Sequence, residues 1–323
     1  MGKVIFRSLA ALATATTERI PVGGQAVIQG VLMRGPARWG LCVRRPDQTM
    51  WSEHWESGTR TRRFPWKLPV VRGFIMMIEM LGTGMRALNR SAQLALDDEE
   101  TITPVETAVS IGIAVLAVVG LFIALPLWLA DWCARVWSLS SAGKDVIEGL
   151  VRGVVFVAYI AGIGMWQDIR QVFRYHGAEH KTINAFENGS EMTSESVLGY
   201  SRIHPRCGTS FLLIAIVVSI IVFSVAGHGG LLWRIGSRVV LLPVVIGVSY
   251  EIIKGASRCG RIGALLIAPA LLLQYLTTRE PSREQVEVAI RSLEIALDTS
   301  FSRTPDERMN TQSEVPDEHR TEA

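Results

Sequence analysis

Apolar and polar positions along the chain fall into three regimes. Between residues 22 and 58 the apolar runs are short. Ala26 to Ile28 and Val31 to Met33 are split by Gly30, and WGLCVRR and TMWSEHW flank Pro46-Asp47-Gln48. β-prone runs punctuated in this way predict strands joined by tight turns, hence a small β-subdomain. Within it, Gly23-Gly24 reads as a turn needing positive φ, and His54, between Glu53 and Trp55, as a solvated edge residue. In the second regime the runs lengthen. Thr107 to Ala130 carries no charge and, at about 1.5 Å per residue, can cross a hydrocarbon core of about 30 Å. Further spans are expected from about Leu150 to Gln167, with Arg152 placed to snorkel, from Thr209 to Gly227, and from Val239 to Ile253, with Glu251 near its end. Ile262 to Leu276 is apolar but holds Pro269, and is expected to be re-entrant or interfacial. The third regime is helical: Ser282 and Gln285 form a capping box, and Val286, Ala289, Ile290, Leu293, Ala296 and Leu297 recur at helical spacing. Residues 282–298 therefore predict a docked amphipathic helix.

Two stretches fit no single regime. Val70 to Leu96 is apolar and methionine-rich but interrupted by Arg72, Glu79, Arg86 and Arg90. Two readings stand: an amphipathic helix on an anionic leaflet with its basic side chains at the headgroups, or a core helix of the soluble part. At the N-terminus, Leu9 to Ala15 is too short and too interrupted for a secretory signal, and reads as a frayed cytosolic terminus. From Thr299 onward the chain is polar, acidic and proline-interrupted, the composition of a disordered tail.

The expected architecture is mainly α: a polytopic helical membrane protein of about four transmembrane helices, with a small N-terminal cytoplasmic β-subdomain and a C-terminal amphipathic helix. Its parts are a β-containing region (1–66), an interfacial helix and linker (67–106), a membrane domain (107–276) with a cytoplasmic motif loop (168–208), the amphipathic helix (277–298) and the tail (299–323). Composition agrees. Hydrophobic residues make up 49% of the 323 and mean hydropathy is +0.28, which suits a membrane protein with sizeable soluble parts. A net charge of +3 is too small to argue for nucleic acid. Cys42, Cys133, Cys207 and Cys259 contain no C-x-x-C, so no disulfide framework is expected and the functional face belongs in a reducing compartment. Residues 168–208 hold Arg170, Arg174, Lys181, Arg202 and Arg206, whereas 131–149 hold only Arg135 and Lys144. The positive-inside rule then places the former in the cytoplasm together with both termini of a multi-pass cell-membrane protein.

The chemistry-bearing stretch is YHGAEHKTINAFE, Tyr175 to Glu187, followed by HPRCGTS, His204 to Ser210. On a helix, His176, His180, Asn184 and Glu187 form one polar stripe. His176 and His180 with Glu179 make an H-x-x-E-H pattern, whose mechanical reading is a divalent metal such as zinc on both imidazoles with Glu179 as general base. A third ligand is required. Candidates are Glu187, His204, Cys207 and Glu251, of which His204 and Glu251 are preferred; Glu251 is 71 residues beyond His180, and a charge at its depth is costly unless it is paired. Arg206 completes the polar candidates, and Cys207 is also weighed as a nucleophile beside His204 and Arg206. The bland readings are a pairing of Glu251 with Arg206, Lys254 or Arg258, and a structural turn at Pro205.

GGQAVIQGVLMRGP, YHGAEHKTINAFE, SRIHPRCGTSFLLI, LLPVVIGVSYEII and LTTREP together resemble the YqhQ-like family of bacterial membrane proteins, a domain of unknown function described as a predicted metal-dependent enzyme. The likeness covers about residues 22–298. It implies interest in His176, Glu179, His180, Asn184, Glu187, His204, Arg206, Cys207 and Glu251, and a place in the bacterial inner membrane. One departure is Gln29, where the family usually has Glu; this withholds a ligand or base role from that position. The leading expectation is a metal-dependent hydrolase with its site at the cytoplasmic membrane face, acting on an unknown substrate, with membrane lipids as surroundings and a homo-oligomer allowed. The alternative is a non-catalytic membrane scaffold or assembly factor built on a structural polar network. A transporter is disfavoured by the few charges within the spans and the lack of an inverted repeat.

Overall fold

Residues 30–34 and 38–44 are apolar at nearly every position, the pattern of strands covered on both faces rather than one. The computed structural model, which describes residues 20, 22–57, 64, 66, 68–95, 103–227, 229–256 and 260–299, shows this arrangement. Strands β1 (Gly23–Val27), β2 (Gly30–Arg34), β3 (Arg38–Arg44) and β4 (Met50–Glu56) form an antiparallel meander in sequence order. Val31, Met33 and Cys42 point to one face, and Leu32, Leu41, Val43 and Trp39 to the other. The expected frayed N-terminus, most of the basic run 60–67 and residues 300–323 of the expected tail lie outside the described residues.

The turns depart from expectation in one place. Gly23 and Gly24 are within β1 without positive φ; Gln29, in the Ile28-Gln29 turn closing β1 onto β2, adopts φ 51° instead. Between β3 and β4 the expected turn is present. The Asp47 carboxylate accepts from the Thr49 amide (2.9 Å) and hydroxyl (2.7 Å), the local bonding that makes Asp a turn former. His54 is exposed on the edge strand β4, as its alternation implied.

One face of the sheet is covered by α10 (Arg283–Leu297), introduced by the Ser282–Gln285 capping box and burying Val286, Ala289, Ile290, Leu293 and Ala296. The opposite face is covered by α1 (Val71–Ala95), through Met80, Ala87 and Leu94. Arg86 and Arg90 of α1 stay 63% and 41% exposed while resting on the edge of the sheet. Their guanidinium groups lie 4.8 Å and 4.6 Å from the rings of Trp55 and Trp51, with Glu53 beside both. The second half of this stretch packs against the sheet.

Four helical stretches among the described residues are long and apolar enough to cross a membrane: Ala108–Val136, Gly143–Ile163, Gly208–Val225 and Ile235–Ala256. The first is built from α2 (Pro104–Val119), a π-helical turn (Gly120–Ala124) and α3 (Leu125–Val136). The others lie in α4 (Ser141–Ile163), α7 (Gly208–Val225) and α8 (Leu231–Ala256). The second span, Gly143–Ile163, starts and ends earlier than expected and takes in the Glu148–Arg152 ion pair. Arg152 does not snorkel: it donates to Glu148 (2.8 Å), Ser219 (3.2 Å) and the Phe122 carbonyl (3.0 Å). Residues 168–208, expected as a loop, are mostly helix: α5 (Gln167–Glu187) and a short α6 (Ser194–Leu198). The stretch through Pro269 is one helix, α9 (Gly260–Thr277), without a reversal.

Candidate metal centre

Helix α5 has two jobs, and its sequence divides them by face. Tyr175, Ala178, Ile183 and Ala185 enter the core under the sheet and α10, which fixes the rotation of the helix. That rotation aims His176 and His180 to the other side, where their rings meet edge-on with centroids 4.4 Å apart. Each ring is then locked by a backbone carbonyl: His176 Nδ1 lies 2.8 Å from Thr277 O, and His180 Nδ1 lies 2.7 Å from Arg202 O. A carbonyl only accepts, so both Nδ1 atoms carry a proton and both Nε2 atoms are left for another partner.

That partner is Cys207. Its Sγ is 3.3 Å from His176 Nε2, and ligand atoms of His176, His180 and Cys207 all lie within 4.8 Å of one another. Two nitrogens and a sulfur bound to one tetrahedral zinc at about 2.1 and 2.3 Å stand roughly 3–4 Å apart, so the donor set and its spacing fit such an ion with one position to spare. Cys207 also caps the N-terminus of α7, its sulfur accepting from the Thr209 amide and lying 3.0 Å from the Thr209 hydroxyl. Burial opposes ionisation of the thiol, but His176 and His180 beside it outweigh burial and bring it well below the usual thiol range. The same contact acts on His176: burial pushes it down, yet the Cys207 sulfur wins and raises it to about 9.

Glu179 completes the cluster. It is 4% exposed, and its Oε2 is a buried acceptor without a hydrogen bond among the described residues. Burial raises its pKa, with His180 and His176 pulling in the opposite direction. Room for it is made by Gly24 of β1: a Cβ there would stand 3.2 Å from Glu179 Oε1 and 2.6 Å from Leu32 O. Gly177 has a parallel task. A Cβ on it would meet Arg279 O at 2.0 Å, so only glycine lets residues 277–281 pass close enough for Thr277 O to hold His176.

The other sequence candidates support the cluster from outside. Asn184 donates to Ser201 O (2.7 Å) and Ile203 O (3.1 Å), and Lys181 to Leu198 O and Tyr200 O (both 2.8 Å), fastening the 198–207 segment onto α5. Glu187 pairs with Arg206 and approaches His204 Nε2 at 3.5 Å. His204, preferred from sequence as a third ligand, is held differently. Its ring centroid lies 5.8 Å from that of His180, and its backbone N and O are both bonded to the buried amide of Gln274. Glu251, the other preferred ligand, is turned to α1, where Arg72 grips it bidentately at 2.7 and 2.5 Å. The carboxylate is thus paired mainly with an arginine 179 residues away, with Lys254 adding to the attraction; Arg258 lies outside the described residues. Gln274 and Gly177 escaped the sequence reading, in which Gly24 is a turn residue. The signal for Gln274 was a lone amide inside LLLQYL, a polar group that an apolar helix carries only with partners.

Comparison with known proteins agrees with this frame. The family model described as a protein of unknown function (DUF1385) matches residues 68–299. The chain belongs to that family. It is also similar to the uncharacterized protein YqhQ of Bacillus subtilis, 35% identical over 288 residues that cover 84% of this chain and 90% of the relative. No solved structure matches. The family match spans α1 to α10 and therefore His176, His180, Cys207, Glu179 and Gln274, whereas Gly24 lies before it.

Proposed function

We propose that His176, His180 and Cys207 bind a divalent metal, zinc by the softness of its thiolate and imidazole donors, and that the protein is a metal-dependent hydrolase at the membrane surface. The observation that carries this reading is the meeting of three donors around one point, two of them tautomer-locked by carbonyls, beside a buried carboxylate with an unused oxygen. Bound zinc supplies a Lewis acid and a water acidified towards neutrality. Glu179 Oε2, a buried acceptor with no hydrogen bond among the described residues, would take up the water proton and return it to a leaving group. Loop charges support a cytoplasmic position for the site and for both termini; an impermeant thiol reagent should leave a cysteine introduced at Gly189 unlabelled in intact cells and label one at Gly143.

The decisive measurement is elemental analysis of protein purified in detergent without chelators and supplied with zinc. One equivalent is expected, lost in His176→Ala, His180→Ala and Cys207→Ala, and kept in Glu179→Gln. Absence of metal from the wild type that nonetheless unfolds cooperatively would sink the enzyme reading and leave a scaffold with a structural polar network. The 3.3 Å Cys207–His176 contact also favours a second reading, a cysteine nucleophile activated by imidazole. Rapid iodoacetamide alkylation of Cys207 that added zinc does not slow would select it.

A further inference from the structure

The start of α1 lies against a membrane span in a way that the sheet domain does not require. Val70, Gly73 and Arg72 meet α8 at Gly247, Tyr250 and Glu251: a Cβ on Gly247 would stand 2.3 Å from Val70 O, a Cβ on Gly73 would stand 2.8 Å from Tyr250 Cβ, and Arg72 grips Glu251. Both chains advance together through these contacts, so the first turns of α1 run alongside α8 in the same direction. Gly247 is inside the span Ile235–Ala256, nine residues before its end, which at about 1.5 Å per residue is about 13 Å. The chain that leads into α1 must therefore start within the depth of that span.

What it presents there is apolar. Phe64 is 71% exposed, Trp66 44% and Leu68 42%, and along α1 Ile78, Leu81, Met85 and Leu88 form an exposed stripe at spacings of three, four and three. From Leu68 to Met85 the chain carries two charges, Arg72 and Glu79. Both are turned to protein partners, Arg72 to Glu251 and Glu79 to Arg34 of β2. Several backbone donors are closed as well: Val71 N donates to Pro69 O (2.8 Å), Arg72 N to Leu68 O (2.9 Å) and Phe74 N to Val70 O (3.1 Å), the Val70 backbone bonds the Glu251 carboxylate, and Pro69 has no N–H. Satisfied donors and inward-turned charges are what an irregular entry to a helix needs in lipid. The turn is not without cost, since Val70, a β-branched residue, is held at φ 69°; packing against Gly247 over-determines it.

We infer that Phe64, Trp66, Leu68 and the first half of α1 form a second membrane anchor, dipping into the leaflet that contains the C-terminal half of α8, with lipid acyl chains as the partner of the first part of the exposed stripe, Ile78 and Leu81. Its C-terminal half then rises out to carry the sheet, and with it Gly24 against Glu179. The sheet domain is thereby held at the bilayer by two connections, α1 as well as α5.

The test uses the full chain reconstituted in phosphatidylcholine–phosphatidylglycerol vesicles, with nitroxide labels at Leu68→Cys, at Ile78→Cys and, as an aqueous reference, at Asp47→Cys. Signal from the unsubstituted protein is subtracted, and each variant is checked for an unchanged unfolding transition. The anchor requires the ratio of collision with oxygen to collision with a nickel chelate to be severalfold higher at Leu68 and Ile78 than at Asp47. Ratios equal to the Asp47 value at both sites would overturn it. So would low ratios accompanied by dipolar broadening that disappears on dilution with unlabelled chains, which would make a second copy the occupant.

Discussion

Cys207 Sγ lies 3.3 Å from His176 Nε2 although 31 residues separate them. Nothing local brings them together; the intervening chain leaves α5, turns through α6 and returns as an irregular segment whose carbonyls are caught one after another by α5. Asn184 holds two of them, and the neighbouring Arg202 carbonyl holds the His180 ring. Asn184→Ala removes no ligand, yet frees the segment that places Cys207 and the His180 acceptor. The expected result is a metal affinity weaker by about 10–100-fold, the usual cost of losing an outer-sphere partner, read by competition with a chromogenic chelator. Unchanged affinity would mean that Lys181 and Arg206 suffice to hold the segment.

Gly177 tests the opposite wall. Adding one methyl would put a carbon 2.0 Å from Arg279 O, so residues 277–281 must move away in Gly177→Ala. Thr277 O moves with them, and His176 loses the acceptor that fixes its tautomer. The variant should fold, because the core face of α5 is untouched, while metal affinity falls by about 10–100-fold. Titration of the purified variant with zinc checks this, with circular dichroism as the control for helix content.

Glu251 separates the sequence reading from the structural one. A ligand role predicts that Glu251→Gln loses the metal. The bidentate ion pair with Arg72 predicts that metal stays and that stability drops instead, by about 3–5 kcal/mol for a partner removed from a buried pair, or less because both groups are a quarter to a third exposed. Metal content and melting temperature measured on the same sample decide between them.

Much of this architecture was legible along the chain because it follows from local pattern. Spans follow from uncharged length, β2 from an apolar run between glycines, β3 and β4 from the runs that flank Pro46-Asp47-Gln48, and α10 from a capping box and a helical stripe. His176 and His180 were legible for the same reason, since spacing of four on one helix is a local fact. The third ligand was not. Whether Cys207, His204 or Glu251 faces the pair depends on which carbonyls catch the 198–207 segment and on where α1 packs, both contacts between distant parts of the chain. Glu251 had the right character for a ligand, a carboxylate that needs a partner in an apolar helix, but character does not name the partner. Gly24 and Gly177 misled or stayed silent because a glycine in sequence does not say whether it serves a turn or a close approach.

The last prediction concerns the ions within the spans. Glu148 on α4 is 2% exposed and joins two arginines, accepting from Arg152 at 2.8 Å and from Arg238 of α8 at 3.0 and 2.6 Å. Arg152 has a further duty. Pro126 has no N–H to give the Phe122 carbonyl four residues before it, and Arg152 Nε donates to that carbonyl at 3.0 Å, at the π-helical turn of the first span. Glu148→Gln preserves shape but removes the charge that balances both guanidinium groups. Breaking a buried pair by removing one partner costs about 3–5 kcal/mol, more than replacing the whole set with apolar groups. Glu148→Gln should therefore melt well below wild type in detergent. Glu148→Leu combined with Arg238→Met, which keeps Arg152 on Phe122 O and Ser219, should recover part of the loss. A single variant as stable as the wild type would show that the arginines draw their compensation from elsewhere.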